Sequence, residues 1–330
     1  MEQRYLGRTG LRVSRIGLGT LTWGRDTDEH DAADLMKTFW EAGGSLVDTA
    51  DVYGDGEAEY LLGRLIEGLV PRRDLVISTK AGSVPDPDPD RRVDGSRGHL
   101  LSALDASLAR LGTDYVDVWH IHAFDPYTPL EETLQTLDLA VSSGRARYAG
   151  VSNFCGWQIA KAATWQLAAP GMRTRLASTQ VEYSLLQRGV EREVLPAALD
   201  LGIGLLPSSP LGRGVLTGKY RGDAMPPDSR GASEHLAPFV APYLDDTASR
   251  IVDAVQTAAD GLAVTPLQVA LAWIRDRPGV AAPIVGARNS QQLTAALSVE
   301  ALSLPDEICR ALDDVSAPVH RYPDHDWSTL

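Results

Sequence analysis

One pattern runs through the whole chain and limits what it can become: a short β-branched or apolar run, a turn, then a segment with helical periodicity. The apolar runs are Arg15–Gly19, Ser45–Ala50, Leu75–Lys80, Val116–His122, Arg147–Ser152, Ser178–Tyr183, Ile203–Ser208 and Ala282–Val285, eight in all. Helices fit Glu29–Ala42, Ala58–Glu67, Glu191–Asp200, Thr265–Arg275, Ser290–Leu297 and Asp306–Val315. Leu101, Leu104, Leu108 and Leu111 make one further apolar stripe. Thr128-Pro129-Leu130-Glu131 reads as a helix start, with Thr128 as N-cap. Strand, helix, strand at a spacing of roughly 25–40 residues implies parallel strands joined by right-handed crossovers. Eight such units favour a closed (β/α)8 barrel, the TIM barrel, over an open doubly wound sheet.

No Pro/Gly-rich linker divides the chain, so residues 1–330 are read as one α/β domain. Gly7-Arg8-Thr9-Gly10 predicts an N-terminal β-hairpin that closes the bottom of the barrel. A long loop, Gly212–Asp246, follows the seventh strand and lies over the C-terminal face. Forty-four acidic against 31 basic side chains give a net charge of −13, which argues against a general binder of nucleic acid or anionic membranes. The two cysteines, Cys155 and Cys309, form no close pair and fit a reducing compartment. Met1–Gly10 has no apolar signal-type core and no run reaches membrane-spanning length, so a soluble cytoplasmic protein is expected.

In such barrels the chemistry sits at the C-terminal ends of the strands. Three of those ends carry a tetrad: Asp48 and Tyr53 on the second, Lys80 on the third and His122 on the fourth. A phenol is a poor acid near neutrality, and an adjacent ammonium stabilises the phenolate. A carboxylate keeps that ammonium charged, and a histidine can orient a carbonyl oxygen. Together they suit general acid catalysis on a carbonyl, given a hydride from a cofactor. Any one of the four alone reads equally well as a structural ion pair; four gathered from three strand ends at one face read poorly that way. His120 and His122 share a strand face, which raises a metal-site reading, but the other histidines fall in helices or loops, so no metal is expected. No G-x-G-x-x-G is present, and Gly218-Lys219 runs into Tyr220, so a dinucleotide would be held outside the Rossmann manner.

From about Gly7 to Val315 the chain resembles the aldo-keto reductases, and within them the bacterial branch similar to potassium-channel β subunits. The resemblance rests on Gly10-Leu11-Arg12-Val13-Ser14, Asp48-Thr49-Ala50-Asp51-Val52-Tyr53-Gly54, Ser78-Thr79-Lys80, Asp114-Tyr115-Val116-Asp117-Val118-Trp119-His120-Ile121-His122, Gly150-Val151-Ser152-Asn153, Ser209-Pro210-Leu211-Gly212 and Gly286-Ala287-Arg288. It implies a barrel that binds NADP(H) and reduces aldehydes or ketones to alcohols. Tyr53 would be the general acid, Lys80 would lower its pKa, Asp48 would pair with Lys80, and His122 would orient the carbonyl. Thr20, Asp48, Ser152, Asn153, Gln180, Ser209, Pro210, Leu211, Gly212, Arg213, Gly286 and Gln292 would hold the cofactor. Lys219, Arg230 and Arg288 would meet the adenosine phosphate, although each also reads as a solvated surface charge. Trp23, Tyr53 and Phe124 would wall the substrate pocket, and the tail His320–Leu330, with Tyr322 and Trp327, reads equally as closing over it or as packed on the barrel surface. Two positions depart from the family pattern. Ser208 stands where relatives stack an aromatic ring on the nicotinamide, and Ala295-Ala296 stands where relatives often carry Glu-Asn. Weaker NADP(H) binding is therefore expected, and a non-enzymatic NADP(H)-binding sensor or regulatory subunit is the alternative to a reductase.

Overall fold

The apolar runs become strands covered on both sides, which is why they read as continuous rather than alternating. The computed structural model describes residues 1–84, 92–172, 174–221, 225–226, 229–234 and 236–318. An antiparallel hairpin, β1 (Gln3–Tyr5) and β2 (Arg12–Ser14), comes first. The barrel strands follow: β3 (Gly17–Gly19), β4 (Leu46–Asp48), β5 (Val76–Ala81), β6 (Val116–Ile121), β7 (Ala146–Ser152), β8 (Leu176–Glu182), β9 (Gly204–Ser208) and β10 (Ile284–Val285). They pair in parallel in the order β10-β3-β4-β5-β6-β7-β8-β9. The ring is brought nearly closed by a parallel bridge from Leu205 on β9 to Val280. There Leu205 N–H donates to Gly279 O and Ala281 N–H to Leu205 O, each at 2.9 Å. Helices lie between the strands, so the (β/α)8 reading holds.

The hairpin plugs the N-terminal mouth. Leu6 and Val13 pack with Leu46, Val118, Ala177, Leu206 and Ile284 in an apolar cluster of their own beneath the main core. Gly7 makes the approach possible: its φ is +59°, and a Cβ there would lie 2.5 Å from the backbone oxygen of Gly202.

Two local expectations are corrected. Thr128 does not cap its helix: its hydroxyl donates to Asp125 Oδ2 at 2.6 Å, and the helix begins at Leu130 behind Pro129. The neighbouring carboxylate outcompetes the helix end for that hydroxyl. The helix Arg97–Leu111 buries Leu100, Leu104 and Leu111 together with Ser107, leaving Leu101 and Leu108 half-buried at the stripe's edge. Ser107 is tolerated inside because Arg110 donates to its hydroxyl at 3.3 Å. The loop after the seventh barrel strand carries short helical turns at Gly212–Thr217, Arg230–Ala232 and Ala237–Val240 in its described parts. Among the described residues no single helix is long and apolar enough to cross a membrane. The tail residues His320–Leu330 lie outside the described residues.

Candidate active site

The tetrad is built around a buried ammonium. An ammonium has three protons to place, and Lys80, fully buried on β5, finds three acceptors. Its Nζ lies 2.7 Å from Asp48 Oδ2, 2.9 Å from the Thr49 carbonyl and 3.5 Å from the Tyr53 hydroxyl. Asp48, at the end of β4, is held from its other oxygen by Ser78 Oγ and Gln180 Nε2, each donating at 2.9 Å. Carboxylate and ammonium therefore compensate each other's desolvation, and the remaining proton of Lys80 points to the phenol. His122 lies just past β6, and its ring meets that of Tyr53 edge-on with centroids 6.0 Å apart. His120 sits one layer deeper, fully buried, with Nδ1 3.2 Å from Ser78 Oγ and Nε2 2.8 Å from Ser178 Oγ.

Electrostatics sharpen this picture. Burial alone would lower the Lys80 pKa, but Asp48 and the phenol outweigh it and hold the ammonium above its ordinary range. For Tyr53 the net direction is upward: burial raises the phenol, the Lys80 charge is the largest opposing influence, and Asp48 adds to the rise. The sequence expectation that Lys80 brings this pKa down holds only for the contribution of Lys80 itself. The consequence is a phenol that keeps its proton at neutral pH and has a cation ready for the phenolate. Burial, with the charge of Lys80 adding to it, pushes His122 down to about 3, so its ring is neutral. Its Nδ1 is buried with no hydrogen-bond partner among the described residues. A neutral imidazole over the phenol is a donor for a carbonyl oxygen rather than a second positive charge.

Behind the tetrad, Asp51 is pushed up to about 7 by burial and by the charge of Glu59. The ordinary value is 3.8, so the unfolded chain releases this proton first and stability falls as pH rises from about 4 to about 7. Asp51→Asn should therefore raise the denaturation midpoint at pH 8, by a stability increment on the order of 2 kcal/mol after allowance for partial solvent access, and hardly at pH 4. Equal effects at the two pH values, measured by urea titration, would refute the assignment.

Asp48, Tyr53 and His122 line a cavity of about 710 Å³, with Lys80 fully buried behind them. Thr20, Ser152, Asn153, Gln180, Ser209, Pro210, Leu211, Arg213, Gly286 and Gln292 all line it, as do Lys219, Arg230 and Arg288, which stand near one another. Three expected positions are not on its wall. Gly212 lies beneath the loop, where a Cβ would meet Leu186 at 2.6 Å. Trp23 is fully buried in the main core, and Phe124 packs edge-on against Phe154 and Trp157. The Trp23 ring gains more from core packing than from facing a cavity, and the half-buried Phe124 ring is taken up by its two aromatic neighbours. Asn153 (φ 55°), Ser209 (φ 50°) and Arg213 (φ 58°) on the wall adopt left-handed backbone. That is sterically costly for non-glycine residues and characteristic of functional loops.

The Arg213 side chain has partners of its own. Its guanidinium grips Glu182 at 2.6 and 3.0 Å and lies over the rings of Phe239 and Tyr243. Its charge is thus already matched, and what its loop offers an anion is backbone N–H groups. Glu182, Leu21, Thr217 and Phe239 also line the cavity. Glu182 shares a strand face with Gln180, two residues on, and that period was the available signal. In the cationic cluster, burial and the neighbouring charges of Arg230 and Arg288 lower the Lys219 pKa, and burial with Arg288 lowers that of Arg230. Crowding of like charges is costly unless an anion sits among them.

Comparison with known proteins agrees with this architecture. The profile of the aldo/keto reductase family matches residues 15–317. The chain is 36% identical over 325 residues, 96% of each chain, to the uncharacterized oxidoreductase YrpG of Bacillus subtilis (strain 168). It is 36% identical, over 98% of each chain, to a probable voltage-gated potassium channel subunit beta of Oryza sativa subsp. japonica. It is 31% identical to the versiconal hemiacetal acetate reductase of Aspergillus parasiticus, over 98% of this chain and 99% of that one. With its eight-stranded barrel, its tetrad at the C-terminal mouth and these matches over nearly its whole length, the chain belongs to the aldo/keto reductase family.

Proposed function

We propose that this family member is an NADPH-dependent reductase that converts aldehydes or ketones to alcohols, with Tyr53 as general acid. The observation that carries the reading is the three-way placement of Lys80 Nζ between Asp48, the Thr49 carbonyl and the Tyr53 hydroxyl. When bound, the nicotinamide supplies a hydride to the carbonyl carbon. Tyr53 Oη gives its proton to the oxygen as negative charge develops there. Lys80 stabilises the phenolate left behind, and Asp48 keeps Lys80 charged and in place. Neutral His122 donates a hydrogen bond that orients the carbonyl oxygen. Positioned proton transfer of this kind contributes about 10²–10⁴-fold to rate.

The cavity fits a phosphorylated dinucleotide. Gln180, Ser152 and Asn153 offer amide and hydroxyl groups beside the tetrad. The 209–214 loop would offer backbone N–H groups to the pyrophosphate, and Lys219, Arg230 and Arg288, which also line the cavity, would hold a 2′-phosphate. The like-charge crowding of these three supports NADPH over NADH. We place the protein in the cytoplasm, in keeping with its acidic balance and its two free cysteines.

Ser208 supports a second reading. It lines the cavity without a ring to stack on the nicotinamide, which suits a protein that senses NADP(H) with negligible turnover. The two readings separate in an assay of NADPH oxidation with 4-nitrobenzaldehyde, run beside NADH. The reductase predicts saturable turnover with NADPH preferred; binding without turnover favours the sensor. Ser208→Trp is expected to tighten NADPH binding about ten-fold, as stacking and buried area are restored, by roughly 1–1.5 kcal/mol. An unchanged dissociation constant in a fluorescence titration would count against a role for the missing ring.

A further inference from the structure

Tyr53 stands at the head of a backbone that needs holding. Gly54 (φ 58°), Asp55 (φ 56°) and Gly56 (φ 95°) follow it in left-handed conformation, three in succession. The helix Glu57–Gly68 starts immediately after them, and its first turn carries Glu59. Glu59 is fully buried, although nothing in the proposed chemistry uses it. One of its oxygens accepts the hydroxyl of Thr79, the residue before Lys80 on β5. The other accepts Arg110 Nε at 2.8 Å, and Arg110 Nη2 lies 2.7 Å from it. Arg110 in turn covers Gly56, whose absent Cβ would lie 2.8 Å from its Cδ.

We propose that Glu59 is a positioning residue: with Thr79 and Arg110 it straps the loop that bears the phenol to the strand that bears the ammonium. The proposal rests on the reductase reading for its kinetic consequence and on the geometry alone for its mechanical one. Thr79 and Lys80 are adjacent on one strand, so a bond to Thr79 fixes the helix start relative to Lys80. Three residues of left-handed turn then separate that anchor from Tyr53. The Tyr53 hydroxyl and Lys80 Nζ are already at 3.5 Å, so any slackening of the loop lengthens the contact on which proton transfer depends. Arg110 supplies the charge that lets a carboxylate occupy this buried place.

The test uses Thr79→Val, which keeps shape and removes the hydroxyl, beside Thr79→Ser, which restores it. Hydrogen–deuterium exchange is read on the peptide covering residues 51–57, and carbonyl turnover and NADPH affinity are measured on the same samples. In Thr79→Val, exchange of that peptide should quicken about ten-fold and kcat should fall about ten-fold or more, with NADPH affinity held within about two-fold. Thr79→Ser should restore both. Unchanged exchange in Thr79→Val, or equal losses in both variants, would overturn the strap. If Thr79→Val does not fold, Glu59→Gln, which keeps size and surrenders the charge against Arg110, should release the same peptide; full protection there overturns the proposal. Should the wild type reduce no carbonyl with NADPH, the proposed function falls, while the exchange measurement still decides the strap.

Discussion

Tyr53→Phe is expected to lower kcat for carbonyl reduction by about 10²–10⁴-fold, with the dissociation constant for NADPH unchanged within a factor of about two. The substitution removes one oxygen. That oxygen accepts from Lys80 at 3.5 Å and holds the proton the developing alkoxide needs. It supports neither the helix that follows nor the far end of the cavity where the phosphates would sit. The loss therefore falls on an interaction made in the transition state, and the ground-state affinity for cofactor stays. Steady-state kinetics with 4-nitrobenzaldehyde, together with fluorescence titration of NADPH, separate the two quantities. A parallel loss of NADPH affinity would mean that Tyr53 belongs to the cofactor site rather than to the proton transfer.

Lys80→Met is expected to cost both activity and stability. The phenolate would lose its cation, and Asp48, almost fully buried, would lose the charge that compensates its own. Ser78 and Gln180 still donate to Asp48, so the carboxylate is left hydrogen-bonded but unpaired. Stranding one member of a buried pair costs about 3–5 kcal/mol. The pH dependence has a definite sign. The folded pKa of Lys80 is raised, so the stability its charge contributes is fully present below the ordinary value of 10.5 and is lost only as pH rises through the higher folded value. The deficit in urea denaturation should therefore be constant between about pH 8 and 9, and should shrink only as acid lets the stranded carboxylate take up a proton. A deficit that disappears within that range would show that Lys80 is not the charged partner of Asp48.

The barrel was legible because its repeat is a matter of order: eight apolar runs, each followed by a turn and a helical period, leave few alternatives. The tetrad was legible because strand ends face one mouth, so Asp48, Lys80 and His122 were close in space before any distance was known. What stayed hidden depends on competition between neighbours. Thr128 looks like an N-cap until Asp125 is found within reach of its hydroxyl. Nothing in the sequence shows that Glu182, 31 residues away, holds the Arg213 guanidinium. Trp23 and Phe124 are aromatic residues near the right strand ends, and sequence does not say on which side of the wall a ring will pack. Glu59 reads as an ordinary acidic residue in a helix's first turn; only Thr79 and Arg110 converging on it reveal a buried carboxylate.

The most direct test of the account is a crystal structure with NADP⁺ and a slowly reacting carbonyl compound bound together. The carbonyl oxygen is expected within about 3 Å of both Tyr53 Oη and a ring nitrogen of His122, with Lys80 still between Asp48 and the phenol. A carbonyl oxygen bound away from the phenol, with the adenosine phosphate outside the Lys219, Arg230 and Arg288 cluster, would contradict it.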